Sequence, residues 1–211
     1  MKNYIITGFL TSTIIILFFV TQLLSQQKDS RIIAFNSSIK YEIKGDYKNA
    51  ASEIQKIYSE NKNNYLINLR LGWLNYILKD YAKSLDYYNT ASQLNKESIE
   101  AKIGSTYPLS ALGKWDEIVE IYKNILKVDA NNYTANLKLG QIFLERYDYA
   151  TAKKYLEKIN KLYPAEFEPN LSLGYTYYYL GNIQKAKELF TYVLMLDENN
   201  SLALSGLKLI K

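Results

Sequence analysis

The 211-residue chain contains no cysteine and no histidine. Without thiols there are no disulfides, thiolate metal sites or cysteine nucleophiles, and without imidazole there is neither a histidine dyad nor histidine acid–base chemistry. A glycine-rich phosphate loop and a metal-ligating cluster are missing too, and acidic neighbours such as Asp116 and Glu117 have ordinary helix-surface spacing. The chain therefore reads as not an enzyme, with no catalytic residue, no metal and no cofactor. Nor is charge gathered into a block. Lys and Arg alternate with Asp and Glu along the chain, so the net charge of +5 is spread over solvated faces and does not mark a nucleic-acid surface.

Charge is also missing locally, between Lys2 and Lys28. The stretch Tyr4 to Leu24, "YIITGFLTSTIIILFFVTQLL", has about the length that spans a bilayer core. Residues 1–25 are read as a signal peptide or a transmembrane anchor, followed by a linker at 26–30. The compact apolar core Ile14 to Val20 and the small Ser25 favour cleavage near Ser25. The overall length, and Leu23 where a small residue is wanted, favour retention. Either way the remainder is expected outside the cytoplasm, periplasmic or extracellular, released or tethered to the inner membrane of a bacterial envelope.

What remains has the composition of a folded protein, 48% hydrophobic and 22% charged, and it is written in repeats. "GDYKNAASEIQKIYSENKNN" (45–64), "GKWDEIVEIYKNILKVDANN" (113–132) and "GNIQKAKELFTYVLMLDENN" (181–200) share a leading glycine, an apolar rhythm and a closing Asn-Asn. Steps of 34 residues divide the chain without a gap into 31–64, 65–98, 99–132, 133–166 and 167–200. Block position 8 carries Ser38, Gly72, Thr106, Gly140 and Gly174, and position 20 carries Ala50, Ser84, Ile118, Ala152 and Ala186. Large residues recur at position 24 (Ile54, Tyr88, Tyr122, Leu156, Phe190) and position 17 (Tyr47, Tyr81, Trp115, Tyr149, Ile183). Small residues sit where two helices approach closely, and each block reads as a pair of amphipathic helices with a turn near position 15.

These features resemble the tetratricopeptide repeat family, with its 34-residue period, Leu-Gly at positions 7 and 8, Ala at 20, an aromatic at 24 and Pro at 32. "LRLGWLNY", "LKLGQIFL" and "LSLGYTYYYLGN" carry the Leu-Gly pair, and Pro164 meets the proline position. The resemblance implies an all-α, right-handed α-solenoid of about five helical hairpins over 31–200, with residues 201–211 as a C-terminal capping helix. The third block departs from the family pattern: Ser105 and Thr106 replace Leu-Gly, and Pro108 falls inside its first helix, where a bend is expected. Position 27, Ala in the family, is Ile57, Ile125, Ile159 and Val193 here with only Ala91 conforming, which implies wider helix spacing.

The family binds proteins on a concave surface lined by first helices, so the resemblance implies an interaction scaffold with a protein or peptide partner. In this sequence that surface brings forward Phe35, Ile39, Leu69, Trp73 and Tyr76, then Tyr107, Tyr175, Tyr178 and Tyr179, with Trp73 foremost. No basic residue stands at positions 5 and 9, so the family's carboxylate clamp is absent. Two other readings stay open. The tyrosines could stack on sugar rings in a carbohydrate or cell-wall binding module, or the array could be a structural spacer without a ligand.

Overall fold

A computed structural model of the protein describes residues 29–210. The leader read at 1–25, most of the linker after it and Lys211 lie outside the described residues. Among the described residues there are eleven helices and no strand: α1 (Ser30–Ile43), α2 (Tyr47–Tyr58), α3 (Tyr65–Ile77), α4 (Tyr81–Leu94), α5 (Ile99–Ala111), α6 (Trp115–Val128), α7 (Tyr133–Glu145), α8 (Tyr149–Leu162), α9 (Phe167–Tyr179), α10 (Ile183–Leu196) and α11 (Ser201–Leu209). None of them is long and apolar enough to cross a membrane.

The repeated asparagines and aspartates are helix caps. Asn64, Ser98, Asn132 and Asn200 open α3, α5, α7 and α11, each accepting the backbone N–H three residues on. Asp46, Asp80, Asp148 and Asn182 do the same for α2, α4, α8 and α10. The second Asn of each closing pair therefore starts the next hairpin. Lys114 and Glu166 occupy the same register and give no side-chain cap to α6 and α9.

Within each hairpin the turn passes through one left-handed residue. Gly45, Gly113 and Gly181 have φ of 75°, 71° and 77°, where a residue without Cβ is at ease. Lys79 and Tyr147 hold φ of 64° and 62° in the same register, against the preference of a bulky L-residue.

The chain forms two compact units with the boundary after Asn95. In the first, Ala50, Ile54, Ile67, Leu71 and Leu74 form the core of α1–α4. In the second, Leu156, Leu173, Phe190 and Val193 are buried between α7 and α11, together with the small Ala152, Ala186 and Ala203. Gly140 shows why position 8 is small: a Cβ there would lie 2.4 Å from Leu156 Cγ, well inside contact distance. Position 27 is filled rather than narrow, with Ile125, Ile159 and Val193 completely buried.

Pro108 does not break α5, which runs unbroken from Ile99 to Ala111. In that helix the Ser105 and Thr106 hydroxyls donate to the Lys102 and Ile103 carbonyls. At the C-terminal end α11 packs on α9 and α10, and Ala203 and Gly206 are its buried residues.

A second recurrent tie uses asparagine at block position 4. Asn136 Nδ2 donates to the Ala130 and Asn132 carbonyls at 3.2 and 2.8 Å. Asn68 and Asn170 repeat the bond pair on Lys62 and Asn64, and on Pro164 and Glu166. Each fastens an inter-hairpin loop to the helix that follows, by bonding one loop carbonyl and the carbonyl of the residue that opens the helix.

Candidate functional site

In the first unit, α1 and α3 are joined by a polar network. Trp73 Nε1 donates to Glu42 Oε1 at 3.0 Å, Arg70 lies 2.5 Å from the other Glu42 oxygen, and the Arg70 guanidinium also reaches Ser38 Oγ. Burial works against the Glu42 charge, but the bonds from Trp73 and Arg70 outweigh it and hold the carboxyl below its ordinary value. Trp73 is thus half-buried and held by its indole N–H, with its ring 6.0 Å from that of Tyr76, which in turn lies 6.0 Å from Tyr81. Phe35 lines a cavity of about 420 Å³ with Ile32, Leu66, Asn36 and the Asp29–Arg31 ion pair. Ile39 is 43% exposed and Leu69 half-buried.

In the second unit the backbones of the first helices come close in the sequential pairs α7–α9 and α9–α11, whereas those of α6, α8 and α10 stand farther apart. The first helices of the unit are therefore the more closely spaced row. Tyr107 lines a cavity of about 320 Å³ with Trp115, Ser110, Lys138, Gln141 and Glu145.

Tyr178 and Tyr179 belong to an aromatic run that continues onto α8. The Tyr179 ring stacks on Tyr149 at 4.8 Å with an interplanar angle of 10°, Tyr178 meets Tyr179 edge-on at 5.2 Å, and Tyr147 meets Tyr149 edge-on at 6.3 Å. Tyr179 is 49% and Tyr147 77% exposed. Tyr175 is placed differently. Its ring packs edge-on against Phe190 at 4.9 Å and its hydroxyl donates to the Leu202 carbonyl at 2.7 Å, which fastens α11 to α9. Burial, then the neighbouring Tyr179, pushes its phenol up from the ordinary value.

The nine residues singled out from the sequence thus fall into separate places: Phe35 and Tyr107 line cavities, Trp73 and Tyr76 form one aromatic run, Tyr178 and Tyr179 another, Tyr175 faces the last helix, and Ile39 and Leu69 lie on α1 and α3 outside these groups. Sequence reasoning missed Tyr81, Tyr149 and Tyr147, which complete the two runs. The position-17 series that contains Tyr81 and Tyr149 was the available signal, because position 17 opens the second helix beside the last turn of the first.

These surfaces offer rigid rings, apolar floors and a few hydrogen-bonding groups, which suit side-chain recognition. Among the described residues no group of three or more acidic side chains could hold a metal ion.

Sequence profiles for the Tetratricopeptide repeat match residues 134–165 and 168–200. A crystal structure of a tetratricopeptide repeat protein from Parabacteroides merdae is similar with a TM-score of 0.76, at 16% identity, over 86% of this chain and 72% of that one. YrrB, described as a TPR protein with an unusual peptide-binding site, is similar with a TM-score of 0.68, at 16% identity, over 90% of this chain and 97% of its own. Among curated sequences, Protein CTR9 homolog of Arabidopsis thaliana is 25% identical over 130 residues, which is 61% of this chain and 12% of that protein.

Proposed function

We propose that this chain, a tetratricopeptide repeat protein, is a scaffold that holds an extended segment of another protein against the aromatic residues of its first-helix surface. The observation that carries the reading is the run Tyr178–Tyr179–Tyr149–Tyr147, in which the exposed Tyr179 ring is stacked on a half-buried Tyr149 and Tyr147 stands open to solvent. Tyrosine rings of this kind give large, rigid contact area at little cost in side-chain entropy. Tyr147 adds to the argument because it holds a left-handed φ that glycine would adopt without strain, and strained residues concentrate at functional sites. A peptide-binding site in YrrB, a protein of similar fold, is in keeping with this use of the fold.

The test starts with peptides selected from a displayed library against the full chain. Tyr179→Ala and Tyr149→Ala should each weaken a selected peptide by roughly 2 kcal/mol if these rings are hot spots, with the thermal midpoint nearly unchanged. Peptides that bind both variants as tightly as the parent would move the site elsewhere.

The same proposal puts the scaffold in the bacterial cell envelope, exported by residues 1–25; its support is the uncharged run from Tyr4 to Leu24. A reporter enzyme active only outside the cytoplasm, fused after Lys211, should be active. The intact mass of the mature protein then separates release after cleavage near Ser25 from tethering by the retained segment. A reporter active only in the cytoplasmic fraction would overturn the location without touching the peptide-binding reading.

A further inference from the structure

The charges that alternate along the chain as a whole do not alternate on α8. This helix carries Lys153, Lys154, Lys158 and Lys161 against a single acid, Glu157. That acid is already engaged, because Glu157 Oε1 accepts the hydroxyl hydrogen of Tyr177. Lys185 Nζ donates to the same Tyr177 oxygen at 3.2 Å. Elsewhere lysines commonly find a carboxylate one helical turn away, as Lys56 finds Glu53, Lys83 finds Asp80 and Lys123 finds Glu120. Lys154, Lys158 and Lys161 make no such pair among the described residues, because Glu157, one turn from both Lys154 and Lys161, is turned to Tyr177, and all three lysines are exposed. Their spacing of four and three residues stacks them on one face of the helix, one turn apart. Like charges so arranged repel one another, which is a local cost in the absence of a counter-charge.

The lysines do not stand on a flat surface. They line a hollow of about 570 Å³ with Ala150 and Leu180. Glu157 and Lys161 also border a second hollow, of about 610 Å³, whose floor is Pro164, Leu173 and Leu189 with Tyr192 beside it. Cationic ladder and apolar floor therefore adjoin along α8.

We infer that the outer face of α8 is a second docking surface, for a protein segment that carries carboxylates on one side and apolar side chains next to them. The carboxylates would lie along Lys154, Lys158 and Lys161, and an apolar side chain would enter the hollow over Leu173 and Leu189. Charge complementarity selects an acidic ligand, and the concave apolar floor favours a peptide over a bilayer surface, which cannot follow the chain into a hollow. The first-helix surface can then hold one protein while α8 holds another, so the chain would bridge two partners.

The experiment uses the full chain and, as probe, a fluorescein-labelled peptide repeating Glu-Glu-Leu, read by anisotropy at physiological ionic strength. Saturable binding is expected, weaker by about tenfold or more for a Gln-Gln-Leu peptide and for the combined Lys154→Glu, Lys158→Glu, Lys161→Glu variant. The milder combination with Gln at the same positions should fall between, and far-ultraviolet circular dichroism should be unchanged. A variant with the same charge change at the exposed Lys40, Lys44 and Lys48 should bind within about twofold of the parent, since rim charges away from a site act mainly through screened long-range fields. Equal losses in both charge-reversed variants would reduce the effect to net charge and overturn the inference. So would absence of saturable binding, or phosphatidylserine vesicles that bind through the α8 lysines where the peptide does not.

Discussion

The third and fourth hairpins, α5–α6 and α7–α8, follow the same 34-residue frame with different chemistry. In α7–α8, Gly140 lets Leu156 lie against the helix backbone, Asp148 caps the second helix, and Asn136 fastens the preceding loop. In α5–α6, Thr106 stands opposite Tyr122 with their hydroxyls 3.2 Å apart, Lys114 leaves α6 uncapped, and Lys102 reaches the Lys96 carbonyl in place of an asparagine. Loss of the cap is partly offset by Asp116 and Glu117 in the first turn of α6, where negative charge favours a helix N-terminus. The frame thus fixes where groups must meet, and each hairpin needs only a pair that fits. A residue from one hairpin fails in the other when its partner stays behind.

The largest effect follows from that mismatch. Gly140→Thr imports the third hairpin's residue opposite Leu156, whose branched carbon occupies the space a Cβ needs. The overpacking should cost about 3 kcal/mol in urea denaturation. Thr106→Gly, the reverse exchange, removes the hydroxyl's bonds with the Ile103 carbonyl and with Tyr122 and adds a helical glycine, for about 1–2 kcal/mol. Equal costs would mean that helix propensity rather than fit governs position 8.

Next is the turn of the fourth hairpin. Tyr147→Gly should stabilise the protein by about 1 kcal/mol, because an L-residue in the left-handed region pays a penalty that glycine does not. The third hairpin already has Gly113 in that register and has nothing to gain. If Tyr147 serves the peptide surface, the same variant should bind more weakly as it becomes more stable.

A smaller gain lies in the buried Asn136, whose Oδ1 has no hydrogen-bond partner. In the next hairpin Asn160 Nδ2 donates to the corresponding Asn170 oxygen at 2.9 Å, and in the first unit the Tyr58 hydroxyl donates to Asn68 at 3.3 Å. The equivalent donor position in the third hairpin is Leu126, which has nothing to offer. Leu126→Asn should therefore raise stability by about 0.5 kcal/mol after the loss of half-buried leucine surface. The gain should disappear when Asn136 is changed as well.

The fold was legible because its requirements recur. Glycine or another small residue at position 8, an apolar residue at 24 and a closing asparagine are each visible only when five copies are aligned. The buried asparagines were not legible: asparagine is abundant throughout the chain, and Lys102 interrupts the series. Roles that depend on contacts across 20 or more residues were hidden too. Nothing local in the sequence tells that Tyr175 bonds to Leu202 while Tyr179 stays open, or that Glu42 receives Trp73. The lysine ladder of α8 was missed for a different reason, since charges that balance along a segment need not balance on a face.

The smallest effect separates the hairpins by pH. Asp148 is held below the ordinary carboxylate value by its side-chain bond with Thr151, then by the Thr151 backbone N–H, and Lys114 supplies no such group to α6. In the unfolded chain an aspartate titrates near about 3.9. A folded-state value below that means the ionised cap favours the folded state at all pH above the unfolded value, and that this contribution is lost as pH falls through the folded one. Asp148→Asn keeps a good N-cap without the titration. At neutral pH its urea midpoint should stay close to the parent's, and between pH 5 and 2 (about the window set by the unfolded value) it should fall less steeply. The difference will be small because the carboxylate is exposed and screened. Lys114→Asn, placing the same neutral cap on α6, should leave the acid slope as it was. A parent slope that survives Asp148→Asn unchanged would assign the acid sensitivity to other carboxylates held below their ordinary values, such as Glu42 beside Trp73 and Arg70 and Asp29 beside Arg31.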